Sequence, residues 1–384
     1  MKILYHFRTR GTGAEAVHIA GIARAFEKLG HEVIFSSPTG VDPRASAGSN
    51  PYREPGRAGL IARLSRRCPA FIFELLEIGY NLAAFARNWK ILRREKCEAI
   101  YERHAFFLCS TALLAKFFRV PLFVEVNELV GDERVRAQPA FAPLARLSDR
   151  LVFRAAKVIS VVSPHLRRRI VAMGIEEKKV LVLPNAVARE EVETPADGAP
   201  IRERWPLADA VVAGFVGWFV EWHRLDLLME AAAQLAPAHP NLKLLLVGEG
   251  PLRAALAAQA AARGVSERVI FTGAAPRSEI AAHIAAMDIC VVPHSNEYRS
   301  PIKLFEYMAQ ARAVVAARTE PIAEVVRDGD TGLLFTPLST AEMVEKIGSL
   351  AGNRELRQRL GEAARREVLA KHTWEKNAAK ILSL

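Results

Sequence analysis

The sequence predicts an α/β protein of two Rossmann-like domains whose parallel sheets face each other across an inter-domain cleft. Three observations carry this expectation. Short apolar runs alternate with helical segments along the whole chain, and the runs are apolar on both faces, as strands of a helix-covered parallel sheet must be. A stretch without apolar periodicity divides the series in two. The chain has 384 residues, 51% of them hydrophobic, which is material enough for two cores.

In the first half the strand candidates are KILYHF (2–7), EVIFS (32–36), AIYE (99–102), PLFVEV (121–126), KVISVV (157–162) and VLVLPN (180–185). After the first of them, Ile19, Ile22, Ala23 and Phe26 recur at helical spacing and form one face for the sheet. The second half repeats the alternation with VVAGFVG (211–217), KLLLVG (243–248), RVIFTG (268–273), ICVVP (289–293), AVVAA (313–317) and GLLF (332–335). Between the halves, residues 187–204 are rich in Pro, Gly, Asp and Glu and read as a linker. The expected domains are therefore 1–186 and 205–370. A last helix within 371–384 presents Trp374, Ala378, Ile381 and Leu382 on one face and is expected to cross back to the first domain. Ligands of such sheets bind beyond the carboxyl ends of the strands, so the cleft is the expected active site.

Composition excludes several classes. The four cysteines (Cys68, Cys97, Cys109, Cys290) lie far apart without a CxxC pair, which argues against a disulfide framework or a zinc site and for a reducing cytoplasm. The start, MKILYHFRTR, reaches charge too early for a secretory segment, and no apolar run has the ~18 to 20 residues of a membrane-spanning helix. The net charge of +11 calls for anionic partners. Nucleic acid is not expected among them, because basic and aromatic residues follow no nucleic-acid-binding pattern.

Two stretches could carry chemistry. In RTRGTGAEAVH (8–18), Gly11 and Gly13 precede a helix, so backbone and helix N-terminus could receive a phosphate or sugar; a tight strand-to-helix turn is the alternative. In HSNEYRSPIKLFEYMAQARAVVA (294–316), Pro301 suits the first turn of a helix that carries Lys303 and Glu306 three residues apart. A carboxylate there can accept bonds from two ribose hydroxyls while the ammonium and the helix end neutralise phosphate. An ordinary surface ion pair is the other reading.

These stretches, with GHEV (30–33), ERH (102–104), VLPNAV (182–187), GEGP (248–251), VIFTGAAPRSEI (269–280), SPIKLFEYMA (300–309) and GDTGLLF (329–335), together resemble the retaining glycosyltransferases of family 4, the glycosyl transferases group 1, which have a GT-B fold. The resemblance implies a nucleotide-sugar donor bound mainly by the second domain, an acceptor bound by the first, and retention of anomeric configuration. It assigns Glu306 to the ribose, Lys303 to the diphosphate, and Gly248, Thr272, Gly273, Ser300, Pro301 and Ile302 to the donor. Glu297 stands nine positions before Glu306, where the family's usual separation of eight would land on Tyr298, and is assigned to the transferred sugar.

The sequence departs from the family in two further places. In FVGWFVEWHRLDLL (215–228), the family's phosphate-clamping arginine and lysine are replaced by Trp218 and His223, and Arg224 replaces a usual glycine. Departure of a diphosphate needs cationic stabilisation, with individual donors worth roughly 3 to 4 kcal/mol. Lys303 and the amides of Gly13 and the Ser300 loop are the expected sources, with His223 and Arg224 as additional ones. Trp218 and Trp222 either contribute to that region or simply pack beside it. In VEVNELVGDER (124–134), Asn127 and Glu128 stand where the family often has a histidine; Asn127 could bind a sugar hydroxyl, and Glu128 could bind the acceptor or take its proton. His104 is a second acceptor-side candidate, with a hydrogen-bonded structural histidine as its alternative. No metal or other cofactor is expected: the DxD string Asp328-Gly329-Asp330 sits in a Gly-containing turn, and basic groups take the metal's role in GT-B enzymes.

The run RAGLIARLSRR (57–67) carries Arg57, Arg63, Arg66 and Arg67 and leads into PAFIFELLEIGYNLAAF; Arg93, Arg94, Lys96 and Arg167–Arg169 add charge. Such a surface could rest on anionic lipid at the inner face of the cytoplasmic membrane and receive a lipid-linked acceptor, or these arginines could simply be solvated helix faces. The expected activity is transfer of a sugar from a nucleoside diphosphate, UDP in preference to GDP, to a glycan or lipid-linked acceptor in surface-polysaccharide assembly. A sugar-nucleotide epimerase of similar architecture and a catalytically silent glycan- or partner-binding member stay open as alternatives.

Overall fold

The computed structural model describes residues 1–9, 14–46, 70–132 and 138–384. These fall into two compact units: one holds the described residues up to Pro184 together with Glu375–Leu384, and the other holds Asn185–Trp374.

Unit 1 is built on a parallel six-stranded sheet of order β2-β1-β3-β4-β5-β6, from β1 (Lys2–His6), β2 (Glu32–Ser36), β3 (Ala99–Arg103), β4 (Leu122–Val126), β5 (Val158–Val161) and β6 (Val180–Val182). Helices α1 (Ala14–Lys28), α2 (Pro43–Ser46), α3 (Ala70–Glu95), α4 (Ser110–Phe118), α5 (Ala142–Ala155) and α6 (Pro164–Ala172) accompany it. The predicted face of α1 is buried as Ile19, Ile22, Ala23 and Phe26. The rings of Tyr5 and Tyr101 meet edge to face at 4.8 Å in the core.

Unit 2 repeats the plan with a parallel six-stranded sheet of order β12-β11-β10-β7-β8-β9, from β7 (Val211–Val216), β8 (Leu242–Val247), β9 (Val269–Gly273), β10 (Ile289–Val292), β11 (Ala313–Ala317) and β12 (Leu333–Phe335). The helices are α7 (Arg189–Glu193), α8 (Ala199–Arg204), α9 (Leu225–Leu235), α10 (Arg253–Ala262), α11 (Arg277–Ala285), α12 (Ile302–Ala309), α13 (Glu320–Ala323), α14 (Thr340–Gly352) and α15 (Arg354–Lys371), and a last helix, α16 (Trp374–Leu382), follows them in the chain. Alternate residues serve two cores. Val212, Cys290 and Val314 join Leu304, Phe305 and Met308 of α12 on one side, and Ala213, Val291 and Val315 join Leu228 of α9 and Ile347 of α14 on the other. That division explains strand runs with no polar face. All twelve strands lie where the apolar runs predicted them, within one or two residues at most ends and three at the end of β6.

One expectation is corrected. Residues 187–204 are not a bare linker: they carry α7 and α8, and their widely spaced Val187, Val192 and Ile201 are buried in the core of unit 2. Three apolar anchors at such spacing give no helical period, which is why the stretch reads as unstructured. Of the last helix, Trp374 lies in unit 2 and the rest in unit 1, where Glu375 pairs with Lys28 at 2.8 Å and Asn377 donates to the carbonyl of Pro184.

Candidate functional site

In each sheet the strand order reverses direction once, and ligands of open α/β sheets bind beyond the carboxyl ends at that point. In unit 2 the switch lies between β7 and β10. These strands pair only through Ile289–Ala213 and Cys290–Gly214, so their carboxyl ends are free to part. Beyond β10 lies the stretch 294–301 that leads to Lys303 and Glu306, and beyond β7 the stretch that carries Trp218 and His223.

The loop after β10 leads into α12 through Ser300 and Pro301. Asn185, from the VLPNAV motif, holds that loop: its backbone N–H donates to Ser300 Oγ at 3.0 Å and its Nδ2 to the Ser300 carbonyl at 2.5 Å. Pro301 precedes the helix and Ile302 is its first residue. The amphipathic α12 is fixed from below by Leu304 and Phe305, and Tyr307 accepts the backbone N–H of Val216 at the end of β7, at 2.8 Å. So anchored, α12 carries Lys303 to the end of β7. The Lys303 ammonium lies 3.8 Å from the centre of the Phe215 ring and 3.4 Å from Nε2 of His223. A Cβ on Gly217 would come within 2.5 Å of it, so glycine at 217, whose φ is +147°, leaves the room that the lysine uses.

Burial lowers the Lys303 pKa to about 7, against the raising effect of Glu306. His223 is pushed far below the usual histidine range, first by burial and then by the charge of Lys303. The lysine is thus a half-buried ammonium held on a ring face, beside a neutral imidazole, with less solvation to lose than an exposed one when an anion arrives. Glu306 is buried, and its partner is Arg277 at the start of α11, which is held by Glu191 as well at 3.3 Å. The Glu306 charge in turn raises the Arg277 pKa. Lys303 and Glu306 are therefore neither exposed nor an ordinary surface pair.

The glycine turns after β7, β8 and β9 form a shelf beside this group. The N–H of Gly217 donates to Val247, that of Phe219 to Glu249, and that of Gly248 to Gly273. A Cβ on Gly248 would stand 1.9 Å from the Gly217 carbonyl oxygen, so the GEGP motif is a packing requirement of the shelf as well as a close backbone approach.

Other predicted residues are placed differently. Arg224 is in the left-handed region (φ 48°) and its guanidinium pairs with Asp226 at 2.7 Å. Trp218 is 43% exposed and belongs to no core. The Thr272 hydroxyl donates to the Gly273 carbonyl at 2.9 Å. Glu297 is exposed, and its carboxylate accepts the N–H of Glu320 at 3.5 Å, the first residue of α13. His104 is corrected to a structural role: its side chain is 2% exposed and its Nε2 is bonded to Asp149 at 2.8 Å. Asn127 donates to Glu125 at 2.5 Å, and Glu128 is half-buried. Gly11, Gly13, Arg57, Arg63, Arg66 and Arg67 lie outside the described residues. Asp328 and Asp330 are engaged by Arg318 and Arg327, with Gly329 at φ 76° turning the chain between them.

Sequence reasoning missed Arg277, Phe215, Asn185 and Tyr307. Arg277 left a signal: a cation in the first helical turn opposes the macrodipole and calls for a carboxylate partner. It also missed the switch point of unit 1, between β1 and β3, where Nδ1 of the fully buried His6 lies 3.0 Å from Glu102, and Thr111 donates to the same Glu102 oxygen at 2.5 Å. On the adjacent strand β4, Glu125 is held ionised against its burial by His18 at 2.8 Å and by Arg103, which keep its pKa below the usual carboxylate range.

The chain is similar to known proteins in both units. Residues 200–367 match the family model "Glycosyl transferases group 1", and residues 13–186 match "Glycosyl transferase 4-like domain". The chain is 27% identical over 296 residues to the alpha-D-kanosaminyltransferase of Streptomyces kanamyceticus, covering 75% of this chain and 76% of that protein. It is 28% identical over 249 residues to a GDP-mannose-dependent alpha-(1-6)-phosphatidylinositol monomannoside mannosyltransferase of Mycolicibacterium smegmatis, covering 63% of this chain and 65% of that protein, just under two thirds of its length. The crystal structure of Anabaena HepE in complex with UDP superposes with a TM-score of 0.73 at 16% identity over the whole of both chains.

Proposed function

Since the chain belongs to the glycosyl transferases group 1, joined to a glycosyl transferase 4-like domain on a GT-B fold, it is a glycosyltransferase, and we propose that it is a retaining, metal-independent one that takes a UDP-sugar in preference to a GDP-sugar. The acceptor is a hydroxyl of a glycan or lipid-linked glycan in surface-polysaccharide assembly, met at the inner face of the cytoplasmic membrane. One observation carries the donor assignment: the helix start, the half-buried Lys303 and the paired Glu306 converge at the switch point of unit 2. In this reading Lys303 and the start of α12 receive the diphosphate, and Glu306, oriented by Arg277, accepts the ribose hydroxyls.

The bond between the anomeric carbon and the diphosphate oxygen breaks, and the acceptor oxygen bonds to the same face of that carbon. The acceptor proton passes to the leaving phosphate, and charge builds on the diphosphate as the sugar takes oxocarbenium character. A cation already desolvated on the Phe215 ring stabilises that charge without reorganising water, which is where electrostatic catalysis gains most. HepE bound to UDP supports the uridine choice, and the GDP-mannose-dependent relative marks the alternative.

The test is incubation of the full chain with a panel of UDP- and GDP-sugars without acceptor, followed by NMR. Slow release of nucleoside diphosphate and a sugar from UDP-sugars supports the reading. An epimerised nucleotide sugar, or release from GDP-sugars alone, contradicts it.

A further inference from the structure

The outer layer of unit 1 formed by α3, α4 and α5 is apolar where a solvated surface is polar. Leu76, Leu82 and Phe117 are 67%, 80% and 65% exposed, and Leu113, Leu147 and Leu151 are also more than half exposed. The three helices form one continuous surface. Helix α4 packs against both α3 and α5, the ring of Trp89 on α3 lies 4.4 Å from that of Phe117, and Glu74 at the start of α3 accepts the N–H groups of Ala140 and Phe141 at the start of α5.

Charge on this layer is sorted by depth. Glu74, Glu77 and Asp149 point inward, onto the α5 start, Arg8 and His104 respectively, and the remaining acid, Glu95, stands at the far end of α3 beside Arg94. The outward charges of α4 and α5 are basic: Arg146, Arg150 and Arg154 run along α5 at four-residue spacing, beside the row Leu144, Leu147 and Leu151, while Lys116 and Arg119 flank Phe117. Among the described residues, no acid pairs with Arg146, Arg150 or Arg154. No described helix is long and apolar enough to cross a membrane. A row of apolar side chains beside a row of arginines is the pattern of a surface that lies in a lipid headgroup layer. A second copy fits less well, because a twofold contact through this face would bring arginine rows together.

We propose that the outward faces of α3, α4 and α5 dock on an anionic lipid bilayer, with leucine and phenylalanine side chains entering the headgroup layer and the arginine row meeting lipid phosphates. This surface keeps the apolar α3 that the sequence suggested but takes its basic row from α5 instead of 167–169, where Arg167 and Arg169 are engaged by Glu177 and Asp132. The inference extends the reading of a lipid-linked acceptor but does not share its test, since vesicle binding can hold where sugar transfer fails, and the reverse.

The experiment is co-sedimentation of the full chain with vesicles of phosphatidylcholine alone and of phosphatidylcholine mixed with phosphatidylglycerol. Binding to the mixed vesicles, weakened by salt, is expected. R146A/R150A/R154A should lower the partition coefficient by about 100-fold, roughly fivefold per arginine. L147E/L151E should abolish binding with the arginines intact. Both variants change exposed positions and should melt as the wild type does; if either melts early, the salt titration of the wild type decides. Equal binding to both vesicle types, unchanged binding of the well-folded variants, or a wild-type dimer that L147E/L151E splits without vesicle binding would overturn the proposal.

Discussion

Lys303 is the residue on which the donor assignment turns, and its burial makes it testable in two directions. An ammonium on a ring face with a pKa of about 7 costs the ligand-free fold stability, because the unfolded lysine keeps its proton to a far higher pH. The unfolded chain therefore binds more protons than the native one between about pH 7 and the ordinary lysine pKa, and wild-type stability from this group rises with pH across that window. Lys303→Met should melt higher than the wild type at pH 7, with a gap that narrows toward pH 10. The same substitution should weaken nucleoside diphosphate binding, and Lys303→Ala should cost turnover roughly 100- to 1,000-fold, the effect of losing one charge-stabilising donor. Since the protonated form binds the anion, affinity in calorimetry should fall as pH rises above 7. His223, His294, Arg299 and Glu306 are the charged or titratable groups around it, and His223, neutral at these pH values, should not supply the transition. Arg277→Ala should raise the nucleotide dissociation constant by freeing Glu306 from its held position, with Arg277→Lys restoring part of the affinity. Equal affinity in all three proteins would remove the ribose contact. Lys303 and Glu306 were legible in sequence as a motif, but their surroundings were not: Phe215 and Arg277 lie 88 and 26 positions from Lys303, and only the sheet order brings them to it.

At the scale of elements, α12 is held to the sheet by one hydrogen bond that the strands cannot make themselves. The N–H of Val216 ends β7 and is satisfied by the Tyr307 hydroxyl, both groups being buried. Tyr307→Phe keeps the ring and orphans the N–H, so denaturant unfolding of unit 2 should show a loss of about 1 to 3 kcal/mol. Gly248→Ala should cost more, because its Cβ has backbone oxygen in the way, at 1.9 Å, and a positive φ besides. Element types were readable because strands buried on both faces are continuous apolar runs, while helices show a 3.6-residue period. The stretch of α7 and α8 was not readable, because single buried anchors on short helices have no period to detect. His104 shows the reverse failure: a histidine just past a strand end looks available until the partner, Asp149 on α5, is placed against it.

For the molecule as a whole, the two matched domains and the two sheets of the same parallel plan were legible from the alternation alone, whereas the donor nucleotide was not, since no base-contacting residue has a signature in this sequence. The proposed metal independence belongs to this scale too. It assigns the charge stabilisation to basic groups and a helix end, so added EDTA should leave donor hydrolysis unchanged, and a loss restored by Mg²⁺ or Mn²⁺ would contradict it. The claim on which the account rests is that a nucleoside diphosphate is received where α12 begins. Titration calorimetry of UDP and GDP into the wild-type chain and into Lys303→Ala tests it most directly. The account predicts one UDP site per chain, weaker GDP binding, and at least tenfold weaker UDP binding in the variant; no binding of either nucleotide, or the same UDP affinity in both proteins, would contradict it.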